Sequence, residues 1–212
     1  MFRVGRLRLE TLRRDCPQVH LLHNGTRPES GQYEQLSESG LIDLYYGDES
    51  GVSLQPSVPY GWQFADEEVS SPSENGNAIN CFGLFTRSNA AWTAVSERPI
   101  DAAFVVEQLE RFSFSLSKST VVVLDNARIH TGKKMRERTN GWQSRGLFVF
   151  YLPTYSPDLN IAETLWRKLK YEWLSAEDYE SKGHLQYAVR QALSAFGKSL
   201  KIRFSEPVNN FV

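Results

Sequence analysis

Three carboxylates stand where a carboxylate can do chemistry. Glu163 falls in the first turn of an expected helix within YLPTYSPDLNIAETLWRKLKYEW, after a Pro-marked loop. Asp125 closes the apolar run of VVVLDNARIH, 38 positions earlier, and Asp48 lies in LIDLYYGDESG, a further 77 positions back. Both aspartates read as strand ends, and each of the three motifs carries a Gly, Asn or Pro that shapes the backbone. Hard divalent cations such as Mg²⁺ take oxygen ligands and keep several waters, so few carboxylates suffice when substrate phosphates supply the rest. The pattern fits a carboxylate metal site acting on a phosphate-bearing substrate.

The elements that must position these residues read as an α/β pattern. Leu41 to Asp48 is rich in aliphatic and aromatic residues and predicts a strand. Val52 to Gln63, interrupted by Pro56 and Pro59, predicts a bent or edge strand, and Asp66 to Gly76 an acidic loop. Ala78 to Thr86 and Ala91 to Val95 predict two strands turned at Ser88-Asn89. DAAFVVEQLERF predicts a helix capped by Asp101, with Phe104, Val105, Leu109 and Phe112 on its apolar face. Thr120 to Leu124 is the continuous apolar run of a strand covered on both faces. A polar helix over 133–144, a strand over 147–152 and helices over about 160–174 and 181–196 complete the pattern. Strands first and alternating helices and strands afterwards predict a mixed sheet with helices packed on it.

Within the third motif, Ser156 or Asp158 is placed to cap the helix. Ala162, Trp166, Leu169 and Trp173 form the stripe that should pack on the sheet. Glu163, Arg167 and Lys170 form a second stripe at i, i+4 and i+7, suited to metal plus phosphate. The plainer reading of Glu163 is a solvated residue paired with Arg167, and that of Asp125 a turn former beside Asn126. Gly47 and Gly51 permit close backbone approach around Asp48. Strand alternation turns Asp43 and Glu49 away from the face of Asp48. His130 reads as a hydrogen-bond donor behind the metal ligands, as a DNA contact, or as a structural histidine.

Composition bounds the rest. With 212 residues, 41% hydrophobic and 23% charged, the chain has the make-up of an ordinary globular domain. No apolar run approaches the roughly 20 residues that span a bilayer, so no membrane partner is expected. The charged start MFRVGRLRLETLRRD lacks a signal-peptide core, which predicts a cytoplasmic protein. Two cysteines make no disulfide framework. Cys16, His20 and His23 have no fourth partner for structural zinc, and the stretch reads as a linker. The formal net charge of -1 hides an uneven distribution. Residues 120–173 hold nine Lys/Arg against five Asp/Glu, whereas residues 40–119 hold four against eleven. The basic segment surrounds the proposed site, which suits a phosphate-bearing substrate.

GDESG, LDNARIH and YLPTYSPDLNIAETLWRKLK, in this order and at these spacings, resemble the catalytic core of mariner-like cut-and-paste transposases. Within these they resemble the bacterial insertion sequence 630 family of DDE endonucleases. VPYGWQ and NAINCFGLFTR share the likeness, so it covers about Leu41 to Leu174, and SPDLN-x-x-E-x-x-W is its most specific string. The resemblance implies an RNase H-like, retroviral-integrase-like fold with Asp48, Asp125 and Glu163 as the catalytic, metal-binding triad. It implies two Mg²⁺ or Mn²⁺ ions, one activating water or a DNA 3′-hydroxyl and the other stabilising the leaving oxygen. It further implies hydrolysis of a donor strand and its transfer into target DNA, typically at TA dinucleotides, by a homodimer. The implied partners are DNA, as the element's terminal inverted repeats and the target. Asn126, His130, Lys133, Lys134, Arg167 and Lys170 are then the candidates for contacting it.

Such transposases usually begin with helix-turn-helix domains, and only about 40 residues precede the first carboxylate strand here. The expected organisation is a linker or remnant over 1–38, a catalytic domain over 39–200 and a tail over 201–212. A separate helix-turn-helix protein or a full-length transposase would then supply DNA recognition. Two other readings compete: a non-catalytic DNA- or transposase-binding inhibitor, and another RNase H-like nuclease.

Overall fold

A computed structural model describes residues 30–55, 78–152 and 160–204. Helix α1 (Ser30–Glu38) precedes strand β1 (Asp43–Ser53), and β2 (Ala78–Phe85) and β3 (Ala91–Ser96) come after it. Next are α2 (Ala102–Ser113), β4 (Thr120–Leu124), the short α3 (Arg128–Thr131), α4 (Lys133–Ser144) and β5 (Leu147–Tyr151). Helices α5 (Ala162–Lys168) and α6 (Lys182–Ala195) end the order. The strands form one sheet in the order β3-β2-β1-β4-β5. β1, β2 and β3 pair antiparallel, while β4 pairs parallel with both β1 and β5. This is the mixed α/β sheet that the pattern of elements predicts.

Alternation sorts the sheet's two faces. Phe82, Leu84, Val122, Leu124 and Leu147 pack on one side against Val105, Leu109 and Phe112 of α2 and Met135 and Trp142 of α4. On the other side Leu44, Tyr46, Val121, Val123, Phe148 and Phe150 meet Tyr33 of α1. Further along that same face Val52, Ile79, Cys81 and Phe85 pack against α5 and α6. β4 is buried at every position, as its uninterrupted TVVVL predicts for a strand covered on both sides.

The expected cap of α2 is present, with Asp101 Oδ1 accepting from Phe104 N at 2.9 Å. Ala162, Trp166 and Leu169 are buried in the core under α6, with Trp173 against it. Burying side chains such as Leu165 and Leu169 is worth about 1.5–3 kcal/mol each, against a few tenths for the Lys168–Glu172 pair on the outer face. Packing, not surface charge, therefore decides where α5 lies.

The structure corrects several boundaries. β1 runs through Asp48 to Ser53 because its second half keeps pairing with β2, so Asp48 is not at a strand end. Val52 and Ser53 belong to β1 instead of opening a new strand. The last residues of the expected linker form α1, since Tyr33 packs on Phe150 with ring centroids 5.0 Å apart and Glu34 accepts from Tyr46 and from Arg87. The start of the expected tail is docked: Ile202 N donates to Asn89 Oδ1 at 2.7 Å and Asn89 Nδ2 to Ile202 O at 3.1 Å. The helix over 160–174 loses regularity at 169–173, where a wide π-type turn keeps Leu169 buried and Trp173 against the core. The zinc candidate cluster, most of the Val52–Gln63 segment, the acidic loop and Ser156 and Asp158 lie outside the described residues.

Candidate active site at the end of the central parallel strands

The register between β1 and β4 sets the site. Asp43 pairs with Thr120 and Tyr46 with Val123, a constant offset of 77 residues. The pairing stops at Tyr46 and Val123, and β4 ends at Leu124. Carried two residues past the last pair, the offset puts Asp48 level with Asp125, near enough for the charge of Asp125 to raise the Asp48 carboxyl. The carboxyl end of the parallel strands of an α/β sheet is a common place for ligands.

Asp48 is half-buried. Its burial, and after that the charge of Glu49, pushes its carboxyl up to about 7, and Asp125 adds to the rise. A backbone hydrogen bond at Glu49 and the nearby His130 act against this. The site thus stores two acids whose charges repel across neighbouring strands. Beside Asp48, a Cβ on Gly47 would stand 2.5 Å from Leu124 Cδ2 and 2.9 Å from Leu84 Cδ2, so a side chain there would force those two leucine ends to move. At Gly51 the nearest atom would be Asn80 Oδ1 at 3.6 Å, and no close approach demands glycine there.

Asp125 is held differently. Its Oδ1 accepts from Ala127 N at 3.0 Å, an Asx turn, and lies 2.5 Å from His130 Nδ1. The hydrogen bond with His130 outweighs partial burial and holds the carboxyl below the ordinary aspartate value. Both contacts use Oδ1, which leaves Oδ2 on a side chain that is half exposed. The second nitrogen of His130, Nε2, lies 3.1 Å from Glu49 Oε2. Burial alone would lower His130, but the hydrogen bonds to Asp125 and Glu49 prevail and push it up to about 9, because only the protonated ring donates to both.

The helix that carries Glu163 starts beside the same stretch of β1. Ile161 joins the core under α1 and the adjacent Ala162 joins the core under α6, so the start of α5 bridges the two. Asn160, itself buried, donates from Nδ2 to Gly47 O at 3.2 Å and accepts Ala162 N at Oδ1. That side chain ties the first turn of α5 to the backbone next to Asp48. Glu163 itself is exposed, and among the described residues no ion pair joins it to Arg167.

The outer candidates divide. Asn126, Lys133, Lys134 and Arg167 are exposed. Lys170 is half-buried because the wide turn at 169–173 breaks the stripe it was expected to share with Glu163 and Arg167. His130 has no exposed side-chain surface to offer DNA, and of its readings the geometry fits the hydrogen-bond donor, whose partner is Asp125. Two residues escaped sequence reasoning. Asn160 sits inside the singled-out motif, and a polar residue before the first helical turn was its signal. Glu49 was set aside by alternation, which says nothing of partners arriving from other elements, here His130 of α3.

The donors on hand are carboxylate oxygens, while both nitrogens of the buried His130 imidazole are taken. This set fits a hard Mg²⁺ or Mn²⁺ ion and not zinc. Among the described residues no three His, Cys, Asp or Glu side chains converge on one ion, since Asp125 turns an oxygen to His130 and Glu163 points out to solvent. Among those residues no helix is long and apolar enough to cross a membrane.

Comparisons with known proteins agree with this frame. The model of the DDE superfamily endonucleases matches residues 43–186. The chain is 27% identical over 132 residues to the insertion element IS630 uncharacterized 39 kDa protein of Shigella sonnei, across 59% of this chain and 37% of that one. It therefore spans well under half the length of that relative. Among solved structures, an intasome of simian T-cell lymphotropic virus in complex with PP2A regulatory subunit B56 gamma is similar with a TM-score of 0.52. There the identity is 12%, over 74% of this chain and 49% of that one. A Mos1 transposase paired-end complex with the left transposon end gives a TM-score of 0.49 at 16% identity, over 92% of this chain and 61% of that one. The fold is the expected RNase H-like one, retroviral-integrase-like in its mixed sheet flanked by helices.

Proposed function

Because this chain belongs to the DDE superfamily of endonucleases, enzymes of polynucleotidyl transfer, we propose that it cuts and joins DNA strands in cut-and-paste transposition, with TA dinucleotides as targets. Asp48, Asp125 and Glu163 are the catalytic carboxylates and would hold two Mg²⁺ or Mn²⁺ ions. The observation that supports this reading is that the charge of Asp125 acts on Asp48 at the end of the paired strands β1 and β4, while Asn160 ties the helix of Glu163 to Gly47. Bound ions would supply Lewis-acid stabilisation of charge on a scissile phosphate.

The chain's own residues do the rest. Asp48 contributes a half-buried carboxylate, whose attraction for a cation is screened less than that of a surface group. His130 holds the half-exposed Asp125 in one orientation. Lys133 and Lys134, in the first turn of α4, and Arg167, one turn after Glu163, offer exposed cations to the DNA backbone. The terminal inverted repeats of an element and a target duplex are the proposed DNA partners. A homodimer on DNA is the proposed assembly, and a helix-turn-helix protein or full-length transposase is the proposed source of end recognition.

The test is cleavage of supercoiled plasmid in Mn²⁺, Mg²⁺ and EDTA, beside Glu163→Ala, Asp48→Ala and Asp125→Ala. Nicking that requires metal and falls by roughly 10³-fold or more in each variant supports the reading. Full activity in all three variants would overturn the site assignment. DNA binding that survives EDTA with no nicking in Mn²⁺ would favour an inhibitor.

A further inference from the structure

Alternation along β1 turns Glu49 away from Asp48, and the structure shows what it meets instead. Glu49 Oε2 lies 3.1 Å from His130 Nε2, and His130 Nδ1 lies 2.5 Å from Asp125 Oδ1. The imidazole between them is fully buried. The backbone of the same residue is pinned from a third strand, where Tyr151 OH donates to His130 O at 2.8 Å. With a carboxylate at each nitrogen, rotating the ring breaks two bonds at once. The ring therefore fixes which oxygen of Asp125 is engaged, and Glu49 fixes the ring.

We propose that Glu49 is a positioning residue: through His130 it holds Asp125 with Oδ1 engaged and Oδ2 left for a divalent ion. The proposal deepens the metal-dependent reading above and rests on it. Hydrogen-bonded partners behind a metal ligand orient it, and their loss typically lowers metal affinity by about 10–100-fold. A bare structural role for Glu49 would leave affinity unchanged in a folded variant. A role as a ligand would make its charge, not its hydrogen bond, the quantity that matters.

Replacing Glu49 by Ala and by Gln separates these cases. Mn²⁺ affinity of the full chain is measured by titration calorimetry, alongside ¹⁵N resonances of the His130 ring and thermal melting. Glu49→Ala should weaken Mn²⁺ by about 10–100-fold and shift the Nε2 resonance, whereas Glu49→Gln, whose side-chain oxygen still accepts from Nε2–H, should stay within about three-fold of the parent. Parent-like affinity in folded Glu49→Ala overturns the proposal. Equal weakening in Glu49→Gln and Glu49→Ala also overturns it, because the charge would then be meeting the ion. Should Glu49→Ala not fold, Glu49→Asp decides: it is too short to keep the contact, and parent-like affinity in it overturns the proposal. A parent chain that binds no Mn²⁺ overturns the metal reading and this proposal together. A parent that binds while Glu49→Ala is unchanged overturns this one alone.

Discussion

Asp48 lies within β1 and Asp125 just past the end of the neighbouring β4, and the protein treats their charges in opposite ways. Asp48 is half-buried beside Glu49 and pushed up to about 7. Asp125 is half exposed, bonded to His130 and held below its ordinary range. The cause is the path of the chain just beyond each residue. β1 continues for five residues past Asp48 and keeps its neighbourhood closed, whereas β4 ends at Leu124 and lets the chain turn so that α3 brings His130 back. One carboxylate is strained by its surroundings and the other is satisfied by them. A divalent cation would relieve the first and borrow the free oxygen of the second.

The sharpest way to break this contrast is to neutralise each acid in metal-free protein. At pH 8, Asp48→Asn should stabilise the fold by about 1–3 kcal/mol, roughly 2–10 °C in Tm, since it removes a charge that the half-buried site disfavours. Asp125→Asn should destabilise by about 1 kcal/mol, because a charge-assisted hydrogen bond is lost but solvent already screens it. Thermal melts in EDTA check both signs, and shifts of the same sign would dissolve the comparison.

A smaller effect depends on pH. Asp48 has a folded value above its unfolded one, so its proton stabilises the fold below about 4 and that stability is lost as pH rises towards 7. His130, raised to about 9, adds stability that is complete below about 6.5 and lost as pH rises through 9. The melting temperature of the metal-free chain should therefore fall from pH 5 to pH 9, and His130→Asn should flatten the upper half of that slope. Saturating Mn²⁺ should reverse the trend above pH 7, since the ion binds the deprotonated carboxylates.

The smallest effect concerns the tie to the third carboxylate. Asn160→Ala removes the bond to Gly47 O and the acceptor for Ala162 N, which should cost about 1–2 kcal/mol. By freeing the turn that carries Glu163, it should also slow nicking by about ten-fold. Parent-like nicking would mean that α5 is placed by its apolar stripe alone.

Much of this arrangement was legible where local pattern and tertiary role coincide. TVVVL reads as a buried strand because every position is apolar or β-branched, and the stripe of Ala162, Trp166 and Leu169 reads as a packed helix face from its apolar spacing. Asp101 reads as a cap because its partner is three residues away. Failures fall where the stabilising partner is distant. α1 has a weak pattern and is held by Phe150, Arg87 and Tyr46. The docking of Ile202 depends on Asn89, 113 residues earlier. Glu49 meets a histidine 81 residues on, which no alternation argument can see.

What the chain determined by itself is the sheet's framework and the identity of its acids. Hydrophobic period, caps and turns act over a few residues, and a strand such as β4 carries its burial in its own composition. Tertiary structure alone decided how each acid is held, because electrostatics depends on distance and enclosure, not on order along the chain. The 77-residue spacing was visible as a number, and only the parallel pairing of β1 with β4 brought the charge of Asp125 to bear on Asp48.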